Sequence, residues 1–156
     1  MSDTGDEDQL YLGDFHIGEV YAGQVRRLDE QAFTLFAQIT GDSHPIHYDA
    51  EYAAKSRFGA RVAHGLLVTS MSALGATPLS PRLEASMVAL LEQGFGFTKP
   101  LLVGDEARTR FTVEAIVRKP GAASGTIRFA VNIANQRGET VASGHHVYLL
   151  RCRPAA

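Results

Sequence analysis

A carboxylate and an imidazole five residues apart, with a proline between them, mark the stretch Gly41-Asp42-Ser43-His44-Pro45-Ile46-His47-Tyr48-Asp49. Pro45 keeps Asp42 and His47 off one regular helix and holds the residue before it extended. The segment therefore reads as a rigid loop that turns both groups toward one point. A carboxylate and an imidazole aimed at one point can orient a water molecule and deprotonate it. His44 lies on the same loop, where it either hydrogen-bonds the water or substrate or faces outward. Asp49 suits a helix N-cap better than a catalyst.

Gly65 offers a second kind of chemistry. It directly precedes the apolar segment Leu66-Leu67-Val68, and a glycine there lets a ligand approach the backbone closely. Its free N–H at the start of a helix would stabilise a carbonyl oxygen that gains negative charge during a reaction. His64 beside it reads as structural. Ser70 and Ser72 lie on the same apolar segment without the surroundings of a nucleophile elbow. His44, His47 and Asp49 together could ligate Zn²⁺, but no distant Cys or His pair completes the set, so no metal is expected. His145 and His146 would point to opposite faces of a strand, and at most one could reach a given site.

These groups need elements to position them. Residues 1–9 read as a flexible tail, and residues 10–152 as a single domain. Glu19 to Arg26 is a plausible first strand. Asp29 caps a helix on which Phe33, Phe36 and Ala37 recur at helical spacing, and Gly41 suits its end. Asp49 caps a short helix through about Lys55. From Leu66 to Leu74 the chain is nearly apolar all round, which predicts a short buried helix. Beyond it, Phe111, Val113 and Ala115 alternate, as do Ile127, Phe129, Val131 and Ile133, each set describing a strand with one buried face. Met87 to Phe97 and Thr140 to Leu150 complete four strands, with turns at Gly121 to Gly125 and Asn135 to Gly138. Several antiparallel strands beside one buried helix imply an α+β fold with the sheet curled around that helix.

The 156 residues suffice for one domain with a core, and 45% of them are hydrophobic. A formal net charge of −2 without a basic run argues against nucleic acid as partner. Cys152 is the sole cysteine, which excludes an intrachain disulfide. The acidic, polar start lacks the features of a signal peptide, and no apolar run is long enough to span a bilayer. A cytoplasmic protein with no membrane partner is the expectation.

The motif Asp42-x-His44-Pro45-x-His47 resembles the Asp-x-Asn-Pro-x-His signature of the MaoC-like dehydratases, whose best-known members are the (R)-specific enoyl-CoA hydratases. His44 stands where that signature has Asn. The flanks agree, from Phe36-Ala37-Gln38-Ile39-Thr40-Gly41 to Asp49-Ala50-Glu51-Tyr52-Ala53 and Phe58-Gly59. Val62-Ala63-His64-Gly65-Leu66-Leu67 resembles the family's turn into its central helix, and Phe97-x-x-Pro100 with Val103-Gly104-Asp105 is a third match. The resemblance implies a hot-dog fold, an antiparallel sheet wrapped around that helix, and a homodimer or a multiple of it with pockets at the subunit interface. It implies Asp42 and His47 as the pair that activates water, and Gly65 as the amide donor to a thioester carbonyl. The implied reaction is reversible hydration of a trans-2-enoyl thioester of CoA or acyl carrier protein to the (R)-3-hydroxyacyl thioester. Because water addition moves no electrons, no cofactor is expected beyond the CoA of the substrate. A hot-dog acyl-CoA thioesterase and a non-catalytic acyl-thioester-binding domain are the alternative readings.

Overall fold

The structure is a computed structural model that describes residues 8–154. Of the expected tail, residues 1–9, only Asp8 and Gln9 fall within the described residues. Gln9 is buried: its Nε2 donates to the Pro81 carbonyl at 2.8 Å and its Oε1 accepts from Ala85 N–H at 2.9 Å.

The first helix, α1 (Glu30–Thr40), begins and ends where the sequence places it. Asp29 Oδ1 accepts from Ala32 N–H at 3.0 Å, satisfying one of the free donors of the first turn. Gly41 ends it in the left-handed conformation (φ 75°), with its N–H on the Ala37 carbonyl. The apolar stripe turns Phe33 fully inward.

Two short helices follow. Pro45 starts helix α2 (Pro45–Tyr48), so the second half of the segment expected as a rigid loop is one helical turn. The missing N–H of proline costs nothing at the first helical position, which reconciles the two readings. Asp49 caps α3 (Ala50–Ala54) through Tyr52 N–H at 3.0 Å, as expected.

Helix α4 (Gly65–Ser70) is shorter than the expected span, and the chain continues through a 3₁₀ turn at Leu74–Ala76. It is also less buried. Leu67 and Val68 pack inward with Phe33, Leu101, Ile133 and Ala142, while Leu66 is 71% exposed. Apolar character all round thus reflects one face on the core and one face left uncovered in the single chain.

The sheet has six antiparallel strands: β1 (Val20–Ala22), β2 (Arg26–Arg27), β3 (Met87–Phe97), β4 (Glu106–Val117), β5 (Ser124–Ala134) and β6 (Thr140–Arg151). Their order is β1-β4-β5-β6-β3, with β2 also on β4. The expected first strand is therefore two short pieces, each paired with β4. Alternation works as predicted: Ile127, Phe129, Val131 and Ile133 are all buried. β3 forms a long edge that exposes Val88, Leu90, Leu91 and Phe97. Such an edge presents unpaired backbone groups next to apolar side chains, the condition for pairing with another chain.

Candidate active site

Asp42 follows α1 directly, and its carboxylate closes a local turn. Oδ1 accepts from His44 N–H at 3.1 Å, which leaves Oδ2 facing His64 Nε2 at 3.9 Å. The bond from His44 N–H holds the Asp42 carboxyl below the usual range; desolvation opposes it, and the nearby imidazoles of His64, His47 and His44 add to the lowering. Asp42 is therefore an ionised acceptor at neutral pH.

His47 projects from α2. Its Nδ1 lies 2.6 Å from the Val62 carbonyl, which can only accept, so Nδ1 carries a proton and in the neutral ring Nε2 holds the lone pair. His44 is the N-cap of the same helix, its Nδ1 accepting from Ile46 N–H at 3.2 Å, and it is exposed. That ring nitrogen is committed to the backbone. The Zn²⁺ candidates His44 and Asp49 both serve as helix caps, so the set of His44, His47 and Asp49 is not the one the fold assembles.

The set it does assemble is Asp42, His47 and His64, each with one donor atom within 4.8 Å of the others. Partners around one water, with hydrogen bonds of about 2.8 Å, stand at comparable separations. Two imidazoles and a carboxylate are also a donor set for a divalent cation.

His64 is buried, as a structural residue would be, but it belongs to this cluster. Its ring stacks on His47 with centroids 3.7 Å apart, and Phe36 lies 4.6 Å away on the same ring. Nε2 hydrogen-bonds the Tyr48 hydroxyl at 2.8 Å, whereas the buried Nδ1 has no partner. Burial, reinforced by the nearby His47, lowers its pKa although Asp42 pulls the other way, so the ring is neutral at neutral pH. Burial and the Asp42 charge raise that of Tyr48. Sequence reasoning missed His64 and Tyr48 as members of the site. The available signal was their adjacency to Gly65 and His47.

A backbone brace fixes the cluster. Ala63 N–H donates to the Leu101 carbonyl at 2.7 Å and Val103 N–H to the Arg61 carbonyl at 3.0 Å, and Asp105 Oδ2 accepts from Leu102 N–H at 2.9 Å. The Arg61–Glu30 ion pair ties the same segment to α1. Gly65 is the first residue of α4, and its N–H has no partner among the described residues. A Cβ there would stand 3.0 Å from Phe97 Cζ, so glycine keeps this approach open.

The chain is similar to known hydratases and dehydratases. The chain is 31% identical to a 3-hydroxybutyryl-CoA dehydratase of Methylorubrum extorquens over 69% of its own length and 66% of that protein's. It is 30% identical to an (R)-specific enoyl-CoA hydratase of Aeromonas caviae over 82% of its own length and 93% of the other's. The solved structure of a MaoC-like dehydratase from Rhodospirillum rubrum superposes with a TM-score of 0.81 at 26% identity, covering 94% of this chain and 99% of that one. The fold is the hot-dog fold. Residues 14–132 match the family described as MaoC like domain, and the chain belongs to that family of MaoC-like dehydratases.

Proposed function

We propose that the protein reversibly hydrates a trans-2-enoyl thioester, most simply an acyl-CoA, to the (R)-3-hydroxyacyl thioester. The convergence of Asp42, His47 and His64 beside the unpaired amide of Gly65 is the observation that carries this reading. In it, one water sits between Asp42 and His47. The ionised Asp42 accepts one of its hydrogens, and His47 Nε2 takes the other as the oxygen adds to C3. The imidazolium then returns that proton to C2 on the same face. Gly65 N–H donates to the thioester oxygen, which becomes more negative in the enolate-like transition state. No cofactor enters these steps, because no electrons leave the substrate. His44, with one nitrogen bound to the backbone, presents only its other edge toward solvent or substrate.

The reading includes a homodimer joined through the β3 edge, which would continue the sheet and cover Leu90, Leu91 and Phe97. Light scattering at micromolar concentration checks it, and an active monomer alone would refute it. No helix among the described residues is long and apolar enough to cross a membrane. A cytoplasmic location belongs to the same proposal.

The function itself is tested with a panel of enoyl-CoA substrates, read by loss of the enoyl-thioester absorbance and by chiral analysis of the product. Formation of the (R)-3-hydroxyacyl thioester is expected. Release of free thiol in place of hydration would favour the thioesterase reading, and binding without turnover the non-catalytic one.

A further inference from the structure

A cleft of about 250 Å³ is lined by Gly65 and extends the site away from the imidazoles. Its floor is apolar, formed by the buried Ala63, Val68 and Leu101. Its exposed rim carries Phe97 and two cations, Arg57 and Lys99, and no carboxylate lines it among the described residues.

The two cations differ in how far they are already engaged. Lys99 Nζ donates to Glu139 Oε1, while Glu139 Oε2 accepts from Arg137 Nε at 2.8 Å and Asn135 Nδ2 at 2.8 Å. Hydrogen bonds from Asn135, Lys99 and Arg137 hold the Glu139 carboxyl down to about 2, so it stays charged. One carboxylate thus faces two cations, and the trio keeps a net positive charge. Arg57 has no carboxylate partner among the described residues. Its guanidinium lies over the Phe58 ring, 4.7 Å from the centroid. Its N–H groups have no hydrogen-bond partner among the described residues, which leaves them available to an oxyanion.

An apolar floor with a cationic rim suits a slender chain that ends in a phosphate. We propose that Arg57 and Lys99 hold the phosphate of the substrate's phosphopantetheine arm, whose thioester end lies at Gly65. This rests on the thioester reading above. Coenzyme A and an acyl carrier protein present the same arm, so the cleft recognises what the two carriers share.

The test compares crotonyl thioesters of N-acetylcysteamine, which has no phosphate, of 4′-phosphopantetheine, and of CoA, together with a crotonyl-loaded carrier protein. In the wild type kcat/KM should rise at least about tenfold from the first to the second, as expected for charge-assisted bonds to one phosphate. In the Arg57→Ala/Lys99→Ala double variant that ratio should collapse toward one, through KM. The carrier that gains most beyond phosphopantetheine identifies the physiological source. An unaltered ratio in the folded double variant overturns the proposal. So does a loss confined to the step from phosphopantetheine to CoA, which would assign the cations to the nucleotide. If the wild type hydrates none of the four, the hydratase reading fails separately. Calorimetric titration with free 4′-phosphopantetheine then decides the cleft: binding lost in the double variant sustains the site, and absence of binding to the wild type removes it.

Discussion

Two buried histidines of this protein each share a hydrogen bond with a tyrosine, and they differ in what is left over. In the sheet interior, Ser72 Oγ gives its proton to the Thr69 carbonyl at 2.6 Å, so His146 Nε2–H donates to Ser72 at 3.2 Å. Tyr148 O–H then donates to His146 Nδ1 at 2.9 Å. Every ring nitrogen has its partner, and the network is closed. At the helical end, His64 satisfies Nε2 through Tyr48, with the Asp42 carboxylate 3.9 Å from the same nitrogen and the His47 ring stacked on its face, and leaves Nδ1 buried and unpaired. A closed polar network specifies a fold. An open one beside an ionised carboxylate keeps capacity for a substrate or water, and unsatisfied buried groups tend to mark functional sites.

The strongest way to break this contrast is to attack the open cluster at its less buried members. Asp42→Asn and His47→Gln should each lower kcat by roughly a hundredfold to ten-thousandfold, because each removes a proton-transfer group. Both act on one water, so the double variant should be little worse than either single one. Steady-state kinetics with circular dichroism as folding control provides the measurement. Near-normal turnover in both folded single variants would remove the assignment.

Gly65→Pro comes next. Proline lacks the amide proton and is tolerated at the first helical position. The added ring meets Phe97, whose exposed side chain has room to move. Loss of one donor to a developing oxyanion should raise the barrier by roughly 3–4 kcal/mol. Substrate affinity should fall far less, because the ground-state carbonyl carries less charge. A folded Gly65→Pro protein with wild-type kcat would place the carbonyl elsewhere.

The elements legible in the sequence were those with a local physical signature. Asp29 and Asp49 cap as expected, Gly41 takes the positive φ that ends α1, and period-two alternation located β5. What escaped depends on packing between distant segments. Pro45 reads as a helix breaker in isolation but opens α2, because only its neighbours decide whether it stands at the first helical position. The pairing of His64 with His47 rests on strand-like contacts between residues 61–63 and 101–103, which no local pattern encodes. Asp42 and His47 were visible as types and spacing. Their electrostatic setting, with Asp42 held ionised and His47 oriented by the Val62 carbonyl, was not.

His146 offers a test of the closed side. Burial, aided by the neighbouring His145, lowers its pKa to about 4, whereas the unfolded chain protonates near 6.5. The folded protein binds fewer protons over that window, so the stability His146 contributes is fully present above pH 6.5 and is lost as the pH falls toward 4. Its size is roughly 3 kcal/mol. His146→Phe strands Ser72 and Tyr148 without their partner and should cost about 1–3 kcal/mol at pH 7 while kcat stays within twofold. Urea unfolding at pH 7, 5 and 4 should show the gap between wild type and variant narrowing with acid. A gap that widens would mean that His146 is charged in the folded state.

The smallest expected effect is the most discriminating. His64→Phe keeps a flat ring between His47 and Phe36 and removes both ring nitrogens. Tyr48 retains its bond to the Phe33 carbonyl at 3.3 Å, and the unpaired Nδ1 disappears. These changes oppose one another, so stability should move by no more than about 1 kcal/mol. Catalysis should suffer more: the cluster loses its third polar member, and kcat should drop by about tenfold at nearly constant KM. The same substitution at His146 is expected to give the reverse, a destabilised protein with full kcat. If His64→Phe unfolds easily and turns over normally, His64 is a second structural histidine. The difference between the two regions would then lie in Asp42 and His47 alone, since the remaining open nitrogen would have no part in the chemistry.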